Sequence, residues 1–218
     1  DSQWWLEFRR VLFRSVLLIN GSPHVDGVIA LALKELSDTL NRCDIETEII
    51  HVGNKNIRGC IACRSCKKTG KCVFDDCVNE IAFKLKDADG LVVGAPVYYG
   101  SANSTVVSLL TRLFYSINYD LSMKVGASVV SARRSGCTAT FDELNKFFTI
   151  SGMPIVSSTY WNNIHGNNKE DGMQDLEGLQ VMRNLGKNMA FLIKSIALGK
   201  EKYGEVELEN NVRTNFIR

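Results

Sequence analysis

The chain has 218 residues, of which 45% are hydrophobic and 23% charged, values typical of a globular protein with a sizeable core. Its formal net charge of +2 and the lack of a dense basic run argue against a nucleic-acid partner. No apolar run approaches the roughly 20 residues that cross a bilayer, so we expect no membrane anchor.

The first 15 residues differ in character from the rest of the chain. They contain two tryptophans and three arginines and do not match a secretory signal. We interpret residues 1–15 as a non-native or disordered segment ahead of the true start near Val16, and an amphipathic helix is the alternative. The main domain is expected at residues 16–200, followed by a charged tail at residues 201–218.

From Val16 onward, apolar strands alternate with amphipathic helices. The predicted strands are Val16–Asn20, Ile45–Val52, Gly90–Ala95, Val125–Ser131 and Pro154–Ser158. The predicted helices are Asp26–Asn41, Cys77–Asp87, Asn103–Ser116, Phe141–Ser151 and Gly172–Ala197, with a polar loop at Tyr160–Asp171. This alternation predicts an α/β fold in which helices cover both faces of a five-stranded parallel sheet. Ligands of such sheets lie at the carboxyl ends of the strands.

The turn between the first strand and the first helix has the features of a phosphate site. Its backbone N–H groups and the positive end of the helix dipole are aimed at one point. The Ser22 hydroxyl and the His24 ring N–H are further donors beside Pro23, and Gly27 lets the backbone come close. An ordinary turn in which Ser22 caps the helix is the alternative. No G-x-G-x-x-G motif is present, which argues against a Rossmann dinucleotide site.

Two later loops also follow buried strands and suit a flavin ring. The strand-three loop offers a flat apolar wall with backbone donors, built from Pro96, Val97, Tyr98, Tyr99, Gly100 and Ser101. The strand-four loop offers cations that could stabilise a reduced flavin, and its residues are Ser131, Ala132, Arg133, Arg134 and Gly136. The alternatives are tyrosines that only pack under a loop and arginines that are only solvated. Together, the three turns predict a site for flavin mononucleotide (FMN).

A cysteine loop at residues 53–76 is the second candidate site. The chain has seven cysteines, and the loop contains the spacing C-x2-C-x2-C-x5-C at Cys60, Cys63, Cys66 and Cys72. Without a secretory signal, a reducing cytoplasm is expected, where such a group favours metal over disulfides. A four-iron cluster, a zinc ion and free thiols with no metal all remain open, and Cys77 is a substitute ligand.

Several motifs together resemble the iron-sulfur flavoprotein branch of the NAD(P)H-dependent FMN reductases. They are VLLINGSPH, GCIACRSCKKTGKCVFDD, APVYYGS and SARRSG. The resemblance implies a flavodoxin-like fold with strand order 2-1-3-4-5, non-covalent FMN and a homodimer or homotetramer. It also implies a 4Fe-4S cluster on the four loop cysteines, with Ser22 and His24 at the phosphate. Where such reductases usually have polar phosphate donors, this chain has Val28 and Ile29.

The expected function is electron transfer from NAD(P)H through FMN to a cluster or to a small acceptor such as a quinone or a free flavin. No side chain is assigned as a general acid or base, since the cofactor carries the hydride chemistry. Three alternatives remain: a plain FMN reductase, a flavodoxin-like carrier that takes electrons from a protein partner, and a redox or metal sensor based on the cysteine loop.

Overall fold

The structure, a computed structural model, describes residues 14–209 together with residues 212, 214 and 216. Within this part of the chain the strands are β1 (Arg14–Asn20), β2 (Ile45–His51), β3 (Gly90–Tyr98), β4 (Ser101–Ala102), β5 (Val125–Ala132) and β6 (Asn163–His165). The helices are α1 (Val28–Arg42), α2 (Cys66–Thr69), α3 (Cys77–Asp87), α4 (Ser104–Ser116), α5 (Cys137–Thr149), α6 (Lys169–Gln174) and α7 (Leu176–Tyr203). Most of the predicted N-terminal segment lies outside the described residues, and β1 begins at Arg14.

The parallel strands form one sheet in the order β2-β1-β3-β5-β6, and the two-residue β4 pairs antiparallel with the end of β3. Apart from β4, this is the predicted order 2-1-3-4-5, and the predicted α/β fold with a parallel sheet is confirmed. Because β1 and β3 are neighbours while β2 lies on the other side of β1, strand order reverses at β1. The carboxyl ends of β1 and β3 therefore border the position where this fold class binds ligands.

The sheet separates two apolar layers, and successive residues of its strands face opposite sides. In β1, Val16 and Leu18 pack with helices α1 and α7, whereas Leu17 and Ile19 pack with α3, α4 and α5. This two-sided burial explains why the central strands are continuously apolar instead of alternating with polar residues.

The predicted fifth strand, Pro154–Ser158, is wrong in position. Only Ile155 forms an isolated parallel bridge, to Gly126, and the strand beside β5 is β6, inside the predicted polar loop. The segment between Ile155 and Asn163 is longer than the stretch of β5 that it faces, so it leaves the sheet edge and returns. The apolar, β-branched residues of this segment predicted a strand. The excursion of the chain limits its pairing with β5 to the single bridge.

Helix boundaries follow local capping. Helix α3 matches its prediction, and the Asp76 carboxylate accepts a hydrogen bond from the Val78 N–H at its start. Helix α5 begins at Cys137, ahead of the predicted Phe141, directly after the left-handed residue Gly136. In the described part of the chain, no helix combines the length and apolar character needed to cross a membrane.

Candidate functional site

The phosphate turn lies at the carboxyl end of β1 and leaves donors unused. The Ser22 N–H donates to Asn20 Oδ1 at 3.0 Å, and the His24 N–H donates to Ser22 Oγ at 3.2 Å. Gly27 is the N-cap of α1, and no side chain caps this helix. The backbone N–H groups of the first turn of α1 therefore have no intrahelical partner and remain available to an anion.

Val28 and Ile29 face the core and do not occupy the turn. They are 7% and 1% exposed and belong to the apolar layer between the sheet and α7. Ile29 packs over Gly94 of β3, and Val28 packs against Gly172 of α6. Their side chains are buried in this layer, and their backbone N–H groups lie in the uncapped first turn of α1.

Three residues that were not predicted as part of the FMN site hold the phosphate turn in place. The His51 Nε2 lies 2.8 Å from the Ser22 carbonyl oxygen, and Asn103 Nδ2 donates to the Gly21 carbonyl oxygen at 2.8 Å. A Cβ on Gly53 would overlap the carbonyl group of Ser22. The sequence signal for His51 and Asn103 was their position: His51 comes near the end of a predicted strand, and Asn103 comes at the start of a predicted helix.

The strand-three loop is a tight hairpin. Tyr98 pairs with Ser101 across a two-residue turn in which Tyr99 and Gly100 both have positive φ, 53° and 78°. These values are those of a type I′ turn, and a tyrosine there is uncommon. The side chain of Tyr99 is fully exposed and that of Tyr98 about half exposed. The hairpin thus presents aromatic surface at the rim of the sheet.

The strand-four loop contacts this hairpin. Gly136 has a φ of 92°, and a Cβ there would lie 2.8 Å from Val97 Cγ1 and 3.2 Å from the Gly100 Cα. Ser131 and Ala132 are buried at the end of β5, whereas Arg133 and Arg134 are exposed. The structure therefore brings the second and third predicted loops together.

Backbone contacts connect the neighbouring segments to these loops. The Gly21 N–H donates to the Gly94 carbonyl oxygen at 2.9 Å, which fastens the phosphate turn to β3 just before Pro96. The Gly166 N–H donates to the Ala132 carbonyl oxygen at 3.2 Å, which places the end of β6 beside the strand-four loop. The turns after β1, β3 and β5 thus leave the same edge of the sheet.

The four predicted cysteine ligands line one pocket. All are free thiols; Cys60 and Cys63 are exposed, and Cys66 and Cys72 are half-buried. Ala62 and Arg64, on either side of Cys63, have positive φ of 54° and 57°. These left-handed residues bend the backbone on both sides of Cys63, and the Ala62 N–H donates to Cys60 Sγ at 3.4 Å.

A buried arginine from α4 closes this pocket. Arg112 is 1% exposed, and its Nε and Nη2 lie 3.3 and 3.2 Å from Cys72 Sγ. Its other hydrogen bonds go to the Asp76 carboxylate, at 2.6 and 2.9 Å, and to the Arg58 carbonyl oxygen at 3.4 Å. Burial works to lower the pKa of the guanidinium, but the bonds to Asp76 and Cys72 outweigh it and raise that pKa above its ordinary value.

The remaining loop-end cysteine, Cys77, lies outside the pocket. It is the first residue of α3, and burial raises the pKa of its thiol; the same holds for Cys137 at the start of α5. Among the described residues, no three His, Cys, Asp or Glu side chains are grouped closely enough to hold one metal ion. The four pocket cysteines are thus neighbours without being arranged around a single ion.

Comparison with known proteins agrees with these features. The NADPH-dependent FMN reductase family matches residues 14–168. An iron-sulfur flavoprotein of Methanocaldococcus jannaschii is 35% identical over 83% of this chain and 98% of its own length. One from Methanosarcina thermophila is 30% identical over 84% of this chain and 97% of its own length.

Solved structures support the fold. RosB, with a bound riboflavin-phosphate intermediate, has a TM-score of 0.69 at 14% identity, covering 94% of this chain and 92% of RosB. An archaeal flavodoxin has a TM-score of 0.57 at 13% identity, covering 83% of this chain and 99% of the flavodoxin. With a flavodoxin-like fold, a matching family and relatives similar over nearly their full length, this chain belongs to the NADPH-dependent FMN reductase family, in its iron-sulfur flavoprotein branch.

Proposed function

We propose that this flavoprotein oxidoreductase takes electrons from NAD(P)H on FMN and passes them to a 4Fe-4S cluster in the cysteine pocket or to a small acceptor such as a quinone or a free flavin. The observation that carries the proposal is the position of α4. At its start Asn103 contacts the phosphate turn, and near its end Arg112 contacts Cys72. One helix thus joins the two proposed sites, about 14 Å apart along its axis.

The residues at the sheet edge fit FMN. The phosphate would be held by the Ser22 hydroxyl, His24 and the backbone at the start of α1, beside Pro23 and Gly27. The buried Asn103 Oδ1 has no partner among the described residues, and a ribityl hydroxyl or a flavin ring N–H is a donor that would satisfy it.

The two contacting loops would hold the ring. We assign one wall to the hairpin residues Pro96–Ser101 and the other edge to Ser131–Gly136, since Gly136 touches Val97 and Gly100. Arg133 and Arg134 are exposed beside this loop, and their positive charge is suited to a reduced, anionic ring.

The residues of the cysteine pocket fit an iron-sulfur cluster. Four thiols line one pocket, and a 4Fe-4S cluster takes four cysteine ligands. Three of them have the C-x2-C-x2-C spacing with which ferredoxin-type cluster loops begin. A zinc ion held by four thiolates is the alternative, and metal analysis distinguishes the two.

When bound, FMN supplies hydride acceptance and single-electron release, and the cluster supplies single-electron storage. The chain itself binds and orients. Its hairpin leaves Tyr98 and Tyr99 exposed, so a nicotinamide can approach the ring from solvent. The exposed Cys60 and Cys63 bring one side of the cysteine pocket to the surface, where a second electron acceptor can come near.

The test is anaerobic purification, followed by counts of iron, sulfide, zinc and flavin per chain and by steady-state oxidation of NADH and NADPH with a soluble quinone. We expect one FMN, about four irons and about four sulfides per chain, with nicotinamide oxidation above that of free FMN. If the purified protein contains flavin together with zinc, or flavin and no metal, it is a plain FMN reductase. Both cofactors without nicotinamide oxidation would indicate an electron carrier, and metal without flavin would indicate a sensor.

A further inference from the structure

Arg112 makes an unusual set of contacts for a buried arginine. Among the fully buried side chains of the described residues it is the largest by volume. Its donors are divided between a carboxylate, that of Asp76, and a sulfur, that of Cys72. Nη1 also approaches the Arg58 carbonyl oxygen at 3.4 Å, so the planar guanidinium is held on several sides.

The pair with Asp76 explains only part of this arrangement. A buried cation needs an anionic partner, and the Asp76 carboxylate, which also caps α3, provides it. Two donors nevertheless point at Cys72 Sγ, although a neutral thiol is a weak acceptor. A ligating thiolate is a strong one, and hydrogen bonds to cluster sulfurs are among the features that set a cluster's reduction potential.

We propose that Arg112 is a positioning residue that fixes the Cys72 sulfur and raises the reduction potential of the cluster, while Asp76 moderates its charge. This inference rests on the proposed function. The step concerned is the uptake of one electron from reduced flavin, in which no bond of the chain forms or breaks and no proton moves. The added negative charge is spread over the sulfurs, so two donors on one sulfur stabilise the reduced state.

The chain offers a matched control in Arg58. Its guanidinium lies 4.8 Å from the centroid of the Phe74 ring, and that of Arg112 lies 4.9 Å from the same centroid. Both arginines stack on one ring beside the cysteine pocket, but the side chain of Arg58 makes no hydrogen bond to a cysteine sulfur among the described residues. Arg112→Lys and Arg58→Lys are therefore the same substitution beside the same ring, but Arg112 is buried, ion-paired with Asp76 and bonded to the Cys72 sulfur, whereas Arg58 is exposed. Asp76→Asn tests the contribution of the ion pair separately.

The experiment is a redox titration of the anaerobic holoprotein, followed by electron paramagnetic resonance of the reduced cluster. We expect Arg112→Lys to disfavour reduction about tenfold, a fall of about 59 mV for one electron, and Arg58→Lys to match the unmodified protein. Asp76→Asn keeps a capping oxygen on α3 but removes the negative charge, so it should raise the potential.

The outcomes separate the inference from the function on which it rests. The inference about Arg112 is supported if the reduction potential falls in Arg112→Lys and rises in Asp76→Asn. It is also supported if Arg112→Lys loses iron while Asp76→Asn keeps its iron and has a raised potential. It is overturned if Arg112→Lys and Arg58→Lys have equal potentials at equal iron content. It is also overturned if Asp76→Asn loses its iron or has a lowered potential. An unmodified protein without iron refutes the proposed function itself.

Discussion

Gly53 lies directly against Ser22, so closely that a side chain at position 53 would overlap the Ser22 carbonyl group. The cysteine loop, residues 53–76, therefore starts against the phosphate turn. The geometry of the turn depends on a glycine that was predicted neither as a phosphate ligand nor as a metal ligand.

Replacing Gly53 with alanine should displace the phosphate turn and weaken FMN binding. We expect a destabilisation of about 1–3 kcal/mol from overpacking, because the atoms that would be displaced are backbone. Fluorescence titration of the flavin-free protein with FMN and urea unfolding measure the two effects. Gly59→Ala is the control, since a Cβ there meets nothing within 4 Å. FMN affinity equal to that of the unmodified protein would contradict this assignment of the turn.

Substitution of His51 should also weaken FMN binding. The His51 ring contacts the Ser22 carbonyl oxygen, and His51→Leu removes a hydrogen bond worth about 0.5–1.5 kcal/mol. We therefore expect FMN affinity to fall up to about tenfold. His51→Gln retains a side-chain donor and should recover part of the loss. If His51→Leu and His51→Gln bind FMN with the same affinity as each other, the His51 ring does not act through that hydrogen bond.

Cysteine substitutions should divide the chain's thiols into two groups. Cys63→Ser should lose most of its iron, because Cys63 is one of the four thiols that line the pocket. Cys77→Ser and Cys137→Ser should keep the iron of the unmodified protein, since these thiols lie outside the pocket. Iron and sulfide analysis of the three anaerobic proteins makes the comparison. Iron loss in Cys77→Ser would instead identify Cys77 as a ligand.

Tyr119 should make the fold sensitive to alkaline pH. Burial raises the pKa of its hydroxyl from 10.0 to about 12, and the hydroxyl donates to the Ala82 carbonyl oxygen. Because the folded state holds this proton more tightly than the unfolded chain, the stabilisation is complete below about pH 10 and is lost as pH rises towards about 12.

The measurement is the urea midpoint of the unmodified protein and of Tyr119→Phe across this range. Tyr119→Phe removes the ionisable group, so its midpoint should fall less steeply between about pH 10 and 12. Parallel curves for the two proteins would show that Tyr119 does not titrate differently in the folded state.

Most of the parallel strands and helices could be predicted because buried strands and amphipathic helices have distinct periodicities. The order of the strands in the sheet was implied by the family resemblance and is confirmed. The end of the sheet could not be predicted, because pairing of β6 depends on the excursion between Ile155 and Asn163 and not on local residue preference. The start of α5 was also missed, because the left-handed Gly136, four residues after the end of β5, turns the chain into the helix ahead of its amphipathic part.

The sequence indicated the site residues that follow the ends of the strands. It missed the residues that hold those turns in place. The cysteine spacing predicted a common pocket, and Cys60, Cys63, Cys66 and Cys72 do share one. Arg112 gave no such signal, because in sequence it is a single charged residue in helix α4, 40 residues from Cys72, and only tertiary packing brings the two together. Val28 and Ile29 replaced expected side-chain donors, yet they are core residues that leave the backbone donors in place.

Helix α4 also constrains how the chain can change in length. Inserting one residue between Asn103 and Arg112 would rotate everything downstream by about 100° and shift it by about 1.5 Å. The guanidinium would swing away from Cys72, while Asn103 could still reach Gly21. We therefore expect natural insertions and deletions to avoid this helix and to accumulate in peripheral loops, because spacing and angular phase must both be preserved here.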